Sequence, residues 1–279
     1  MSPARPPEGA RSLSEGRAAG PREHPFSTPK IEFDDVSCSF ELKGEPFTAV
    51  NRLTLTVDDG EIVTLVGPSG CGKSTLMNMA AGLQDPSGGE VRVDGREVHG
   101  PGPDRGVIFQ QYALFPWLTV RENVAFGLEV AKVPRTQIDD TVQRCLRLVG
   151  LEAFADALPK TLSGGMKQRC AIARAYAMDP KVLLMDEPFG ALDALTRVTL
   201  QDQLLDTWRQ DARTIMFITH DVEEAVYLAH RVVVMAARPG RLFKVIPVDL
   251  PYPRTEAMRL SAQFLQIRNE VWDAVYHQH

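Results

Sequence analysis

A chain of 279 residues with 44% hydrophobic content is long enough to bury a proper core, as one large α/β domain or two small ones. A net charge of -5 with no long Lys/Arg run offers a phosphate backbone no broad cationic surface, which argues against nucleic acid as a partner. No apolar stretch approaches the roughly 20 residues that a membrane-spanning helix needs, and Cys38, Cys71, Cys145 and Cys170 lack C-x-x-C spacing, so they read as free thiols of a reducing compartment.

Residues 1–30 are rich in Pro, Gly, Arg and Glu and predict a disordered tail, lacking the apolar centre of a secretory signal and too acidic for a transit peptide. From Ile31 the runs "IEFDDVSCSF", "LTLTVDDGEIVTLVG" and "GEVRVDG" predict strands separated by Asp/Gly turns. "IVTLVG" feeds directly into "GPSGCGKST" at 67–75, which fits G-x-x-x-x-G-K-[ST], and "KSTLMNMAAGL" then has helical spacing up to Gly82. Strand, Gly-rich loop and helix together make a phosphate cradle. Backbone N–H groups of Gly67, Pro68, Ser69, Gly70, Cys71, Gly72, Lys73, Ser74 and Thr75 curl inward and the helix adds its positive end, Pro68 excepted as a donor. Lys73 is placed to neutralise the β- and γ-phosphates, and the Ser74 hydroxyl to bind Mg²⁺.

Between residues 118 and 162 strand signals vanish, and "VRENVAFGLEVA" and "TQIDDTVQRCLRLVGL" carry apolar residues three and four apart, which predicts a helical insert at about 113–165. At its start, Phe115, Pro116, Trp117 and Leu118 are apolar residues in an expected loop; an exposed contact surface and ordinary core packing both account for them. "TLSGGMKQRCAIARAY" at 161–176 then sets up a second anion grip. Ser163 is a natural N-cap, Gly164 and Gly165 permit close approach, and the helix from Met166 to Tyr176 presents free N–H groups. A chain whose own nucleotide is held elsewhere uses such a grip to complete the site of a second copy, across a twofold axis.

"VLLMDEP" leaves Asp186 and Glu187 at the carboxyl end of an apolar strand, where ligands bind in open parallel sheets. Asp186 suits the Mg²⁺ shell and Glu187 the activation of an attacking water, although a solvated pair of strand-end acids is the plainer alternative. "FITHD" leaves His220 at the end of another strand, where a structural histidine is the plainer reading and a sensor of the γ-phosphate the alternative. In residues 252–279 a terminal helix is expected to pack through Phe264, Ile267, Val271, Trp272 and Val275.

These motifs resemble those of the nucleotide-binding subunits of ABC transporters over about residues 31–251. "GPSGCGKST" is similar to the Walker A motif, "VLLMDEP" to Walker B, "LSGGMKQR" to the signature with Gln168 in it, "ALD" at 191–193 to the D-loop with Asp193, and "ITHD" to the H-loop. The resemblance implies an α/β fold: a P-loop NTPase (RecA-like) core with a mostly parallel sheet, an antiparallel β subdomain and a helical insert subdomain. It implies a two-cassette dimer holding ATP and Mg²⁺, with Gln110 of "VIFQQYALFPWLTV" as a metal ligand beside Ser74 and Asp186. The segment 112–118 is then expected to meet integral membrane permease subunits, at the cytoplasmic face of the cell membrane. An aromatic ring stacks on adenine in the family; "VSCSF" aligns Phe40 there, with Phe47 as the alternative.

The short tail and the stretch "MAARPGRLFKVIPVDLPYPR" resemble the nitrate/sulfonate/taurine importer branch, which implies a separate extracytoplasmic solute-binding protein. A soluble ABC factor would carry a second cassette or a long coiled-coil insert, and a P-loop kinase would have no use for "LSGGMKQR".

Overall fold

The computed structural model describes residues 28–42 and 44–277. The expected tail, residues 1–30, lies outside the described residues apart from its last three, and there the expectation is corrected. Strand β1 (Pro29–Leu42) already begins at Pro29, because Lys30 is buried with its Nζ 2.7 Å from Asp94 and 3.3 Å from Asp59. A neutralised lysine can enter a sheet margin that an unpaired one would avoid.

After β1 come β2 (Glu45–Asp58), β3 (Ile62–Val66), α1 (Lys73–Ala81), β4 (Gly88–Val93) and β5 (Arg96–Glu97). Strand β6 (Arg105–Ile108) follows, then the helices α2 (Val120–Val130), α3 (Arg135–Leu148) and α4 (Gly164–Ala177). The chain finishes with β7 (Val182–Asp186), α5 (Ala194–Asp211), β8 (Thr214–Ile218), α6 (Val222–Leu228), β9 (Arg231–Ala236), β10 (Arg241–Pro247) and α7 (Ala262–Tyr276).

Two sheets result. The first is antiparallel, in the order β2-β1-β4-β5, and it alternates as a one-sided sheet must: Ile31 and Phe33, then Leu53, Leu55 and Val57, point inward. The second has the order β10-β9-β3-β8-β7-β6, parallel except for the edge strand β10. Every residue of β3, β7 and β8 is buried, which is why these strands read as unbroken apolar runs. Within them successive residues still face opposite ways: Val182 and Leu184 pack with α1 and the antiparallel sheet, while Leu183 and Met185 pack with the helices on the other side. The fold is the α/β arrangement of a P-loop NTPase.

A buried ion pair stitches the two sheets together. Arg231 Nε donates to Glu61 Oε1 at 2.5 Å and its Nη2 to Glu61 Oε2 at 2.6 Å and to the Thr56 carbonyl at 2.8 Å. The Glu61 carboxylate thereby holds the Arg231 guanidinium above its ordinary range.

Helix α7 packs into the core on the helical face of the parallel sheet through Phe264, Ile267, Val271 and Ala274. Trp272, expected on that face, is 49% exposed instead, because the helix turns Ala274 inward and leaves the indole beside Tyr276 at a centroid distance of 4.3 Å. All four cysteines are free and buried, and no described helix is long and apolar enough to cross a membrane.

Candidate functional site

The neighbouring parallel strands β3, β8 and β7 end on one edge of the sheet, and the loops that leave them build a cleft of about 370 Å³. This is the edge at which open α/β sheets bind ligands. The Gly-rich loop forms its floor. Gly72 has a φ of 90°, and a Cβ there would stand 2.7 Å from Val50 Cγ2 and 2.9 Å from the Ala49 carbonyl, so only glycine lets the turn close against β2. Ser69, Gly70, Cys71, Gly72, Lys73, Ser74 and Thr75 all line the cleft, while Gly67 and Pro68 sit behind it as acceptors. Lys73 Nζ donates to the Gly67 carbonyl at 2.8 Å and the Pro68 carbonyl at 3.2 Å, which holds the ammonium over the loop.

Asp186 is the last residue of β7, only 8% exposed. Burial pushes its carboxyl up, and a hydrogen bond from the Ser74 side chain draws it partly back. Glu187, next in the chain, has a φ of 47°, and its N–H donates to the Ile218 carbonyl at 2.9 Å. That left-handed turn aims the carboxylate across the cleft. Gln110 Nε2 donates to Glu187 Oε2 at 3.0 Å, and His220 Nδ1 lies 3.3 Å from Glu187 Oε1. Three residues drawn from after β6, β7 and β8 thus meet in one cluster.

Phe40 and Phe47 are direct partners across the β1–β2 pair, and both rings line the mouth of the cleft, 38% and 46% exposed. Either presents a flat apolar face there. Ala49 and Ile218 also line it, and neither was among the expected site residues.

The second grip lies elsewhere. Ser163 caps α4, its Oγ accepting from Met166 N–H at 3.3 Å, and it is exposed with Gly164 while Gly165 is half-buried. A Cβ on Gly164 would stand 3.1 Å from the Tyr112 hydroxyl oxygen, and one on Gly165 3.3 Å from Leu192 Cδ2. Neither glycine, nor Ser163, lines the cleft that the Gly-rich loop builds. Gln168 requires a correction: it is 1% exposed, because it sits on the inward side of α4, and its side chain faces the fold where a ligand surface was expected. Asp193 is exposed and caps α5, accepting from Thr196 N–H at 3.0 Å, which holds its carboxyl below the usual range.

Sequence reasoning missed what supports the 112–118 segment. Asn123, fully buried on α2, accepts from Phe115 N–H at 2.9 Å and donates to the carbonyls of Phe115, Leu118 and Thr119. Arg174 of α4 donates to the Ala113 carbonyl at 2.7 Å and the Tyr112 carbonyl at 3.3 Å. Held in this way, Trp117 projects 72% exposed beside Phe115, so the core-packing alternative does not describe it. A polar residue within an apolar helical stripe was the one available signal for Asn123.

These residues fit a nucleotide with a hard divalent cation. The cradle accepts no Cβ at Gly72, a hydroxyl and a buried carboxylate are paired at Ser74 and Asp186, and the Gln110 amide offers an oxygen. Among the described residues no group of three or more His, Cys, Asp or Glu is able to hold a metal; a cation bound with phosphate oxygens and waters needs none. The model of the family described as ABC transporter matches residues 50–190. The chain belongs to the ABC transporter family. This cassette is 68% identical over 250 residues to a protein of Brucella abortus (strain 2308) assigned only as ATP-binding, covering 90% of this chain and 95% of the relative. It is 50% identical over 231 residues to the aliphatic sulfonates import ATP-binding protein of Bacillus licheniformis, covering 82% and 88%. A dimeric ATP-binding cassette solved in a post-hydrolysis state with ADP and Pi superposes with a TM-score of 0.74 at 30% identity, covering 79% of this chain and all of that one. The ABC cassette is therefore an ATP-binding ATPase coupled to transport, related to import subunits.

Proposed function

We propose that this chain is the ATP-hydrolysing subunit of an importer for a small anion of the nitrate, sulfonate or taurine class. In this reading two copies close around two ATP molecules at the cytoplasmic face of the membrane. Permease subunits engage the segment 112–118, and an extracytoplasmic solute-binding protein supplies the solute. The anion class is supported by the sulfonate importer relative and by the resemblance of residues 235–254 to that branch.

Within each site Lys73 neutralises β- and γ-phosphate oxygens, and the amides of Gly70, Gly72, Ser74 and Thr75 hold the chain of phosphates. Ser74, Asp186 and Gln110 would hold Mg²⁺, which when bound supplies charge neutralisation between the phosphates. Glu187 accepts the proton of the attacking water, with His220 and Gln110 fixing its carboxylate. Phe40 or Phe47 stacks on the adenine.

One observation carries the reading. The exposed N-terminus of α4, with Ser163, Gly164 and Gly165, lies outside the cleft that the same chain builds, so it is free to cap the γ-phosphate of a second copy. The test is the sedimentation mass of Glu187→Gln at low Mg²⁺. Expected is a monomer that becomes a dimer only when ATP is added; a monomer that persists with ATP even beside purified permease overturns the reading.

A further inference from the structure

His220 is 70% exposed, and its ring meets Glu187 Oε1 at 3.3 Å. So loosely held a side chain takes its position from the backbone on either side of it, and that backbone is tied down at both neighbours. Thr219, before it, is buried; its N–H donates to the Leu65 carbonyl at 3.2 Å, and its hydroxyl accepts from Asp221 N–H at 3.0 Å and bonds the Glu224 carboxylate. Asp221, after it, caps α6 by accepting from the N–H groups of Glu223 and Glu224 at 2.9 and 3.1 Å.

The tie continues away from the cleft. Glu224 is 5% exposed, and its Oε1 accepts from Gln201 Nε2 at 2.8 Å. Gln201 of α5, 2% exposed, accepts in turn from Arg259 Nη2 at 2.6 Å through its own amide oxygen. Arg259 belongs to the short 3-10 turn Glu256–Leu260 that precedes α7, and its guanidinium lies 3.7 Å above the ring centre of Tyr227. The order of groups is directional. A cation, an amide with its oxygen toward that cation, and a carboxylate on the amide's N–H side can be assembled only one way round, and removing one member leaves buried polar atoms unpaired. Burial pushes the Glu224 carboxyl up, and the bonds from Thr219 and Gln201 draw it partly back, so the buried acid depends on the chain of donors behind it.

A small cavity of about 20 Å³, bounded by Glu187, His220, Thr219 and Glu224, joins this chain to the candidate hydrolytic cluster. We propose that Arg259 is a positioning residue for His220. The turn 256–260 acts through Gln201, Glu224 and Thr219 to fix the histidine against Glu187, so that the placement of Arg259 by that turn governs the rate of hydrolysis. This rests on the reading of Glu187 and His220 as hydrolytic residues.

The test is steady-state ATPase kinetics of the full chain, with thermal melts of every variant. Arg259→Ala is expected to lower kcat about tenfold with KM for ATP within about twofold, because a misplaced group costs chemistry and not ground-state binding. Arg259→Lys, which retains a cationic donor, should recover most of the loss, and Gln201→Leu should reproduce it. Arg268→Ala serves as the comparison: it breaks a tie between α7 and α6, the 3.1 Å pair with Glu223, without touching the relay, and should leave kcat unchanged. An unchanged kcat in folded Arg259→Ala, an equal loss in Arg268→Ala, or a loss confined to KM would each overturn the inference. If Arg259→Ala melts below the assay temperature, Gln201→Leu and Arg259→Lys decide the same question. His220→Ala is run alongside. Wild-type kcat in that variant removes the histidine from the reaction and the relay with it, whereas a collapse there beside an intact Arg259→Ala removes the relay alone.

Discussion

At the scale of single residues, Glu187, the proposed base, also carries backbone strain. Glu187→Gln keeps the shape of the side chain and removes the base, so ATP affinity should persist while single-turnover hydrolysis falls by about 10²–10⁴. Near-normal turnover would take Glu187 out of that role. Its φ of 47° is costly for any residue with a Cβ, on the order of 1–3 kcal/mol. Glu187→Gly should therefore be more stable to denaturant than Glu187→Ala, by about 1 kcal/mol, although both lack the carboxylate of the proposed base. Lys73→Ala removes the cation held over the Gly-rich loop by two carbonyls, and should weaken nucleotide binding itself in a fluorescence titration. The sequence alone pointed to Lys73, Ser74, Asp186 and Glu187, all of which line the cleft, because each follows an apolar strand or a fixed spacing. It did not reveal that Gln110, Glu187 and His220 meet, since residues separated by 77 and 33 positions become neighbours only through the strand order β3-β8-β7-β6. Gln168 misled for the opposite reason: a motif names its residues without saying which side of the helix each one faces.

At the scale of elements, α4 joins two surfaces that are far apart in sequence. Its N-terminus carries the exposed Ser163, and its Arg174 grips the carbonyls of Tyr112 and Ala113 in the loop that presents Trp117. One helix thus touches both the exposed N-terminal cap and the loop that carries Trp117. Trp117→Ala should leave the ATPase of the isolated subunit largely intact while lowering transport in vesicles that contain the permease; an equal loss in both assays would return the indole to a role in folding. Helix α4 was legible through its cap, Ser163, and α2 through the spacing of its apolar residues, which begins at Val120 where the Thr119–Glu122 capping box starts the helix. Strands β6 and β10 were not. β6 has four residues with Arg105 and Gly106 among them, and β10 is an edge strand whose charged residues interrupt its apolar pattern.

At the scale of the whole molecule, the parallel sheet has a core on each face, one of them shared with the antiparallel sheet, and the pair formed by Glu61 and Arg231 ties the two sheets at their seam. Glu61→Ala leaves a largely buried guanidinium without its carboxylate, which should cost about 3–5 kcal/mol in urea unfolding. A loss below about 1 kcal/mol, the value of an exposed pair, would show the seam to be held by apolar contact alone. The burial of all four cysteines has a practical consequence. A bulky maleimide finds no native thiol on the folded surface, so one cysteine introduced at Leu195, 83% exposed just beyond the D-loop, is labelled site-specifically against an unmodified background. Spin labels at that position turn the approach of two copies into a distance read directly from a spectrum.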